Sequence, residues 1–239
     1  MFFDPVYWLI LGPCLLLGFW ASSRVKATFN EYAQVGVSSG MSGAQAAAAV
    51  ARAGGAVVTI ERASGFLSDH YDPGTKTLRL SPEVYDGRSV SAIAVGAHEA
   101  GHAIQDARGY QWLGMRSALI PAVQFGSRFW TLPLIVGLFM QATSLGGLLM
   151  LLGIGLLSVT VLFQLVTLPV EFDASNRAKL VLAEAGIART DAERHGVDRV
   201  LGAAAMTYVA GAITAVATLA YYVSLFLGSQ RKRCYCRCF

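Results

Sequence analysis

Long apolar stretches alternate with polar ones along this chain, and the apolar ones carry no helical or strand alternation. Tyr7 to Ala21 is the first. It is short alone but long enough with its flanks, so a transmembrane anchor is expected over 5–23. Residues 129–170, between Arg128 and Glu171, run 42 positions without a charge. About 20 residues cross a bilayer, so two spans are expected within 118–170. The TSLGG stretch at 143–147 has the chemistry for a tight turn between them. Residues 200–230 are uncharged as well, enough for one tilted span over 200–229. That leaves polar segments at 24–117 and 171–199 and a basic tail at 230–239. Two spans lie between the polar segments, which puts both on one face of the membrane.

The polar segment 24–117 reads as a small α+β domain. Ser42 caps a helix, GAQAAAAVARA, that ends at Gly54-Gly55. VVTIER (57–62) has the β-branched content of a strand. FLSDHY and KTLRLS flank Asp72-Pro73-Gly74-Thr75, a hairpin turn by composition. A short helix is expected from Ser81-Pro82-Glu83. A longer one is expected from Ser89 to about Arg108, where Ile93, Val95, Ala97, Ala100 and Ile104 are small or apolar.

Composition supports the membrane assignment. Charged residues make up 14% of the 239, against roughly 25% in a soluble domain; 54% are apolar and the mean hydropathy is +0.50. The net charge of +4 is scattered, with no basic stripe interleaved by aromatics, so nucleic acid is not an expected partner. Basic residues near span ends are more numerous on the face that carries the polar segments (Arg24, Lys26, Arg116, Arg128, Arg177, Lys179, Arg189, Arg194, Arg199), which by the positive-inside rule makes those segments cytoplasmic. The tail charges Arg231, Lys232, Arg233 and Arg237 pull the other way. MFFDP carries no Lys or Arg, unlike a secretory leader, so an uncleaved anchor is expected rather than cleavage after Ala21 or Ser23. Cys14 sits in an apolar run. Cys234, Cys236 and Cys238 alternate in the tail, a spacing that suits neither a zinc site nor a disulfide framework, and they lack the aliphatic pair of a prenylation signal.

The chemistry is concentrated in VGAHEAGHAIQ, residues 95–105. On a helix His98 and His102 share one face and present two imidazoles to one point, as two of zinc's tetrahedral positions require. Glu99 is close enough to reach a water at that metal and act as its general base. The rival is an ordinary helix with surface histidines. SVSAIAVGA before the motif argues against it, because a packed helix does not carry two imidazoles and a carboxylate without partners. A third ligand is then needed. His70, His195, Glu171 and Asp173 are candidates, and Glu171 is favoured because a two-span hairpin returns the chain beside the histidines. Asp173, two residues on, points elsewhere on a helix and is expected to touch a ligand rather than the metal. His195, in TDAERHGVD, is expected to face solvent.

HEAGHAIQ, the preceding DHYDP, TLRLS and VYDGRSVSAIAVGA, and LPVEFDASNRA together resemble the YugP-type family of bacterial membrane zinc metallopeptidases, distantly similar to the HtpX and CAAX-processing membrane proteases. The resemblance covers about residues 30–225. It implies Zn2+ held by His98, His102 and Glu171, with Glu99 as catalytic base, in the inner membrane of a bacterial cell. The wider relatives read E-x-x-A-D at the third ligand, where this chain has Ser175 in place of the final Asp; Asp173 or Ser175 then takes the role of steadying a ligand histidine. The hairpin resembles the edge strand on which many metallopeptidases lay an extended substrate, here residues 66–71 or 77–81, with His70 or Tyr71 near the scissile carbonyl.

The expectation is therefore a mostly α membrane protein with about four transmembrane helices and a small α+β zincin-like metallopeptidase domain. Its partners are the lipid bilayer and a protein or peptide substrate near the membrane. An intramembrane protease would need the motif in a spanning helix, and QDARGYQW ends this one too early. A non-catalytic zinc scaffold or metal-handling protein is the alternative; it would have no need of Glu99.

Overall fold

The computed structural model describes residues 5–65 and 68–236. Its helices are α1 (Pro5–Ala33), α2 (Gly43–Ala53), α3 (Pro82–Tyr85), α4 (Val90–Ala107), α5 (Gln111–Phe129), α6 (Thr131–Phe139), α7 (Ser144–Glu184) and α8 (Asp191–Cys236). The strands are β1 (Thr59–Arg62), β2 (His70–Asp72) and β3 (Thr77–Leu80). Among the described residues, four helical stretches are long and apolar enough to cross a membrane: Pro5–Ala33, Gln111–Phe139, Ser144–Glu184 and Asp191–Gln230. The protein is thus mostly helical, with one small sheet.

The helices outlast the apolar runs that announce them. No Gly or Pro interrupts RVKATFNEYA, so α1 continues to Ala33. Helix α7 passes through Glu171 without a break. The turn expected at 143–147 lies earlier, at Met140–Thr143. There the Thr143 N–H donates to Met140 O, and Thr143 Oγ1 accepts from the Gly146 N–H. Gly146 and Gly147 are helical; a Cβ on Gly146 would strike the Met140 carbonyl, so that glycine serves packing rather than turning. The side chains of Cys234, Cys236 and Cys238 lie outside the described residues.

By internal contacts the chain forms two compact units. One draws on the chain up to Phe19, on Met115–Val166 and on the chain from Val209. Its core mixes aliphatic and aromatic side chains: Leu134 and Leu157 are buried with Tyr221 and Tyr222, Tyr7 and Tyr221 meet edge-on at 5.4 Å between ring centres, and Trp130 and Tyr222 at 5.7 Å. Many of its large apolar residues point outward, among them Leu16, Phe19, Leu132 and Phe139. That is the surface a hydrocarbon solvent calls for.

The other unit comprises Trp20–Gly114 and Thr167–Tyr208. Ser42 closes a capping box with Gln45 at the start of α2, as the sequence pattern predicts. Helix α2 packs on α4 at very short range, since a Cβ at Gly96 would come within 2.5 Å of Gly43 O. Helix α4, capped by Ser89, is buried along most of its length, and Ser91 Oγ donates to Phe29 O of α1 at 2.7 Å. Strand β3 is central: β1 pairs with it in parallel (Thr59 opposite Thr77) and β2 antiparallel (His70 opposite Arg79). Residues 77–81 therefore offer no free strand edge, because β1 occupies the side opposite the hairpin. The edge left on the hairpin side is β2, and residues 66–67 of the expected 66–71 segment lie outside the described residues.

Candidate metal centre

Helix α4 sets His98 and His102 side by side, with ring centres 4.8 Å apart and planes at 81°. Helix α7 brings Glu171 to the same point. It can do so because Gly101, inside the motif, has no side chain: a Cβ there would meet Ala174 O at 2.5 Å. The two backbones touch where the carboxylate must reach across. Glu171 Oε2 then lies 3.2 Å from His98 Nε2 and 3.5 Å from His102 Nε2. One ligating atom from each of the three residues falls within 4.8 Å of the others.

Two imidazoles and a carboxylate are a donor set that suits zinc. The spacing suits it as well. Bonds of about 2.0–2.1 Å at tetrahedral angles put neighbouring ligand atoms roughly 3.3–3.4 Å apart, a separation that the two Glu171 distances of 3.2 and 3.5 Å bracket. A metal held by these three residues alone would keep the fourth position of a tetrahedron open.

The far nitrogens of both rings are also engaged. His98 Nδ1 is 3.1 Å from Ser175 Oγ, and His102 Nδ1 is 3.0 Å from Gln105 Oε1. Gln105 Nε2 reaches Val170 O at 2.7 Å and Asp173 Oδ2 at 2.8 Å, and Arg177 clasps Asp173 at 2.6 and 3.2 Å. Ser175 thus meets His98 directly, and Asp173 approaches His102 only through Gln105. Gln105 was not among the residues singled out from the motif. Its signal was there to read: a lone amide on the apolar, buried side of α4.

Glu99 is buried beside the histidines, and burial pushes its carboxyl up to about 7, with the negative charges of Glu171 and Asp69 adding to the rise and His98 and His70 opposing it. It lines a cavity of about 340 Å³ together with His98. The walls are Val25 and Phe29 of α1, Val95 of α4 and Leu201 and Ala204 of α8, with Lys26 and Asp69 as the charged members. Asp69 accepts from Ser81 N and Oγ, yet burial outweighs those bonds and raises its carboxyl above the usual range.

The remaining candidates stand apart from the three ligating atoms. Tyr71 donates its hydroxyl to Asp106 at 2.6 Å. His70 is exposed on β2, with Nδ1 2.8 Å from Ser68 O. His195 is exposed on α8, as its polar surroundings suggested.

Residues 7–227 match the family described as "Putative neutral zinc metallopeptidase". The chain is 43% identical over 215 residues to "Putative membrane protease YugP" of Bacillus subtilis (strain 168), an alignment covering 90% of this chain and 93% of that protein. No solved structure matches it. With the match spanning nearly the whole chain, from the first apolar helix to the last, the protein belongs to this family of neutral zinc metallopeptidases.

Proposed function

We propose that the protein is a multi-pass membrane zinc metalloendopeptidase whose metal is held by His98, His102 and Glu171. The observation that carries this reading is the convergence of Nε2, Nε2 and Oε2 at ligand spacing beside a buried carboxylate. Bound there, zinc would supply Lewis acidity, making a water acidic near neutral pH and polarising a peptide carbonyl. Glu99 takes the proton from the attacking water and returns it to the leaving amine nitrogen. Burial, which raises its carboxyl in the metal-free site, favours its taking that proton. The α+β unit around α4 plays the part of a zincin-like domain, and the cavity beside Glu99 receives an apolar side chain flanking the scissile bond.

The substrate in this reading is a protein segment at the membrane surface. Glu171 lies on α7, and the cavity walls lie on α1 and α8, which are all candidate spanning helices. The basic residues of the polar segments favour a cytoplasmic site. Purified protein in detergent tests the reading: one zinc per chain and casein cleavage in wild type, zinc without cleavage in Glu99→Gln, and no zinc in His102→Ala. Cleavage retained by Glu99→Gln would remove Glu99 from the mechanism. Unchanged zinc in Glu171→Ala would remove the third ligand.

A further inference from the structure

The hydrogen bonds around Gln105 have only one consistent direction. Gln105 is fully buried, and its Nε2 faces two acceptors, Val170 O and Asp173 Oδ2. Only the nitrogen half of an amide donates. A flipped amide would set oxygen against both acceptors in a buried place, losing two bonds and leaving like dipoles opposed. Asp173 is itself held as an acceptor by Arg177, whose guanidinium stays charged, and Arg177 is steadied over the Tyr110 ring at 5.7 Å. The partners thereby fix which way the amide points, the standard by which amide orientation is assigned.

It follows that Gln105 Oε1 faces His102 Nδ1 at 3.0 Å. An amide oxygen only accepts, so Nδ1 must carry the ring's proton. A neutral imidazole has one N–H, and Nε2 is left with its lone pair towards Glu171. His98 has no such constraint, because the Ser175 hydroxyl beside its Nδ1 can donate or accept. We infer that Gln105 is a positioning residue that holds His102 in its Nδ1–H tautomer and so commits Nε2 to the metal. Asp173 and Arg177 act one step further out by fixing the direction of the amide. The tautomer stands on hydrogen bonding alone; its value to metal binding rests on the metallopeptidase reading.

The test uses the full chain in detergent micelles, stripped of metal by a chelator and labelled with 15N-histidine, with His102→Ala assigning the His102 signals. In wild type above neutral pH, the His102 proton is expected on Nδ1. Gln105→Leu keeps the volume and removes the acceptor, so the His102 signals should move towards a mixture of tautomers. Its Zn2+ affinity, read by chelator competition, should fall about 10–100-fold. Asp173→Ala, at the partly exposed end, leaves Val170 O to hold the amide and should cost roughly several-fold. A wild-type proton on Nε2 overturns the proposal, as does Zn2+ affinity within about twofold of wild type in both variants. Should Gln105→Leu fail to fold, the wild-type spectrum decides alone, since a proton on Nε2 rather than Nδ1 overturns the proposal. Absence of Zn2+ binding in wild type would defeat the metal reading while the tautomer experiment still decides this one.

Discussion

The two compact units use the same apolar alphabet to opposite ends. In the unit holding Phe19 and Phe139, many bulky residues face outward and the small core joins Tyr and Trp rings to Leu134 and Leu157. In the unit holding α4, small residues pack backbone against backbone, and several polar groups caught inside are partnered: Ser91 with Phe29 O, Gln105 with Val170 O and Asp173, His102 with Gln105. A lipid-facing surface tolerates loose apolar substitution. A close-packed interior tolerates a buried polar group only where its partners are in place. Buried polarity in this unit stands where partners meet it, and the candidate metal-binding residues lie among those groups.

The largest effect expected from breaking that interior is on the base. Glu99→Gln should lower cleavage of a peptide substrate by about 10²–10⁴-fold, with zinc content equal to wild type by metal analysis. Next comes the backbone contact that lets α7 reach the histidines. Gly101→Val would force a side chain into Ala174 O, at a cost of about 1–3 kcal/mol, and both thermal stability and zinc content should drop. Gly155→Val, at a helix glycine with open space around it in the other unit, should leave both unchanged; equal damage from the two would erase the contrast between the units.

A smaller effect is expected at the cavity. Ala204→Trp fills the space beside Glu99 and should reduce kcat/KM by roughly tenfold without loss of zinc, the size of effect expected from altering one apolar pocket contact. Unchanged kinetics would separate the cavity from substrate binding. The smallest effect concerns protons. With zinc removed, folded Glu99 keeps its proton up to about 7, whereas its ordinary value, expected once unfolded, is 4.5. The folded state binds more protons between those values, so stability falls as pH rises through that window. Glu99→Gln has no proton to lose. Its melting temperature should draw ahead of the metal-free wild type by a few degrees between pH 5 and pH 8, and a gap that stays constant with pH would contradict the raised carboxyl.

Much of this was legible without coordinates. The cap at Ser42, the helix from Ser89, the hairpin around Pro73-Gly74 and the apolar runs rest on local rules of hydrogen bonding and hydrophobic burial, and the elements formed where those rules put them. Helix lengths were less legible. An apolar run marks where a helix meets lipid but not where it stops, and α1, α7 and α8 continue into polar sequence because nothing there breaks them. The order β1-β3-β2 was hidden for a related reason. The parallel partner of β3 comes from beyond the hairpin, and no turn signal announces a long-range pairing.

That His98, Glu99 and His102 share one side of a helix was determined by the sequence alone, because a helical repeat sets residues three and four apart on one face whatever surrounds them. Glu171 and Ser175 were candidates in the sequence, but their meeting with the histidines, and that of Gln105, was decided only by tertiary structure. Their roles depend on α7 lying against α4 at the distance Gly101 permits, and on buried donors meeting acceptors one by one. Local spacing selects which groups can face a metal. Only packing selects which groups hold them there.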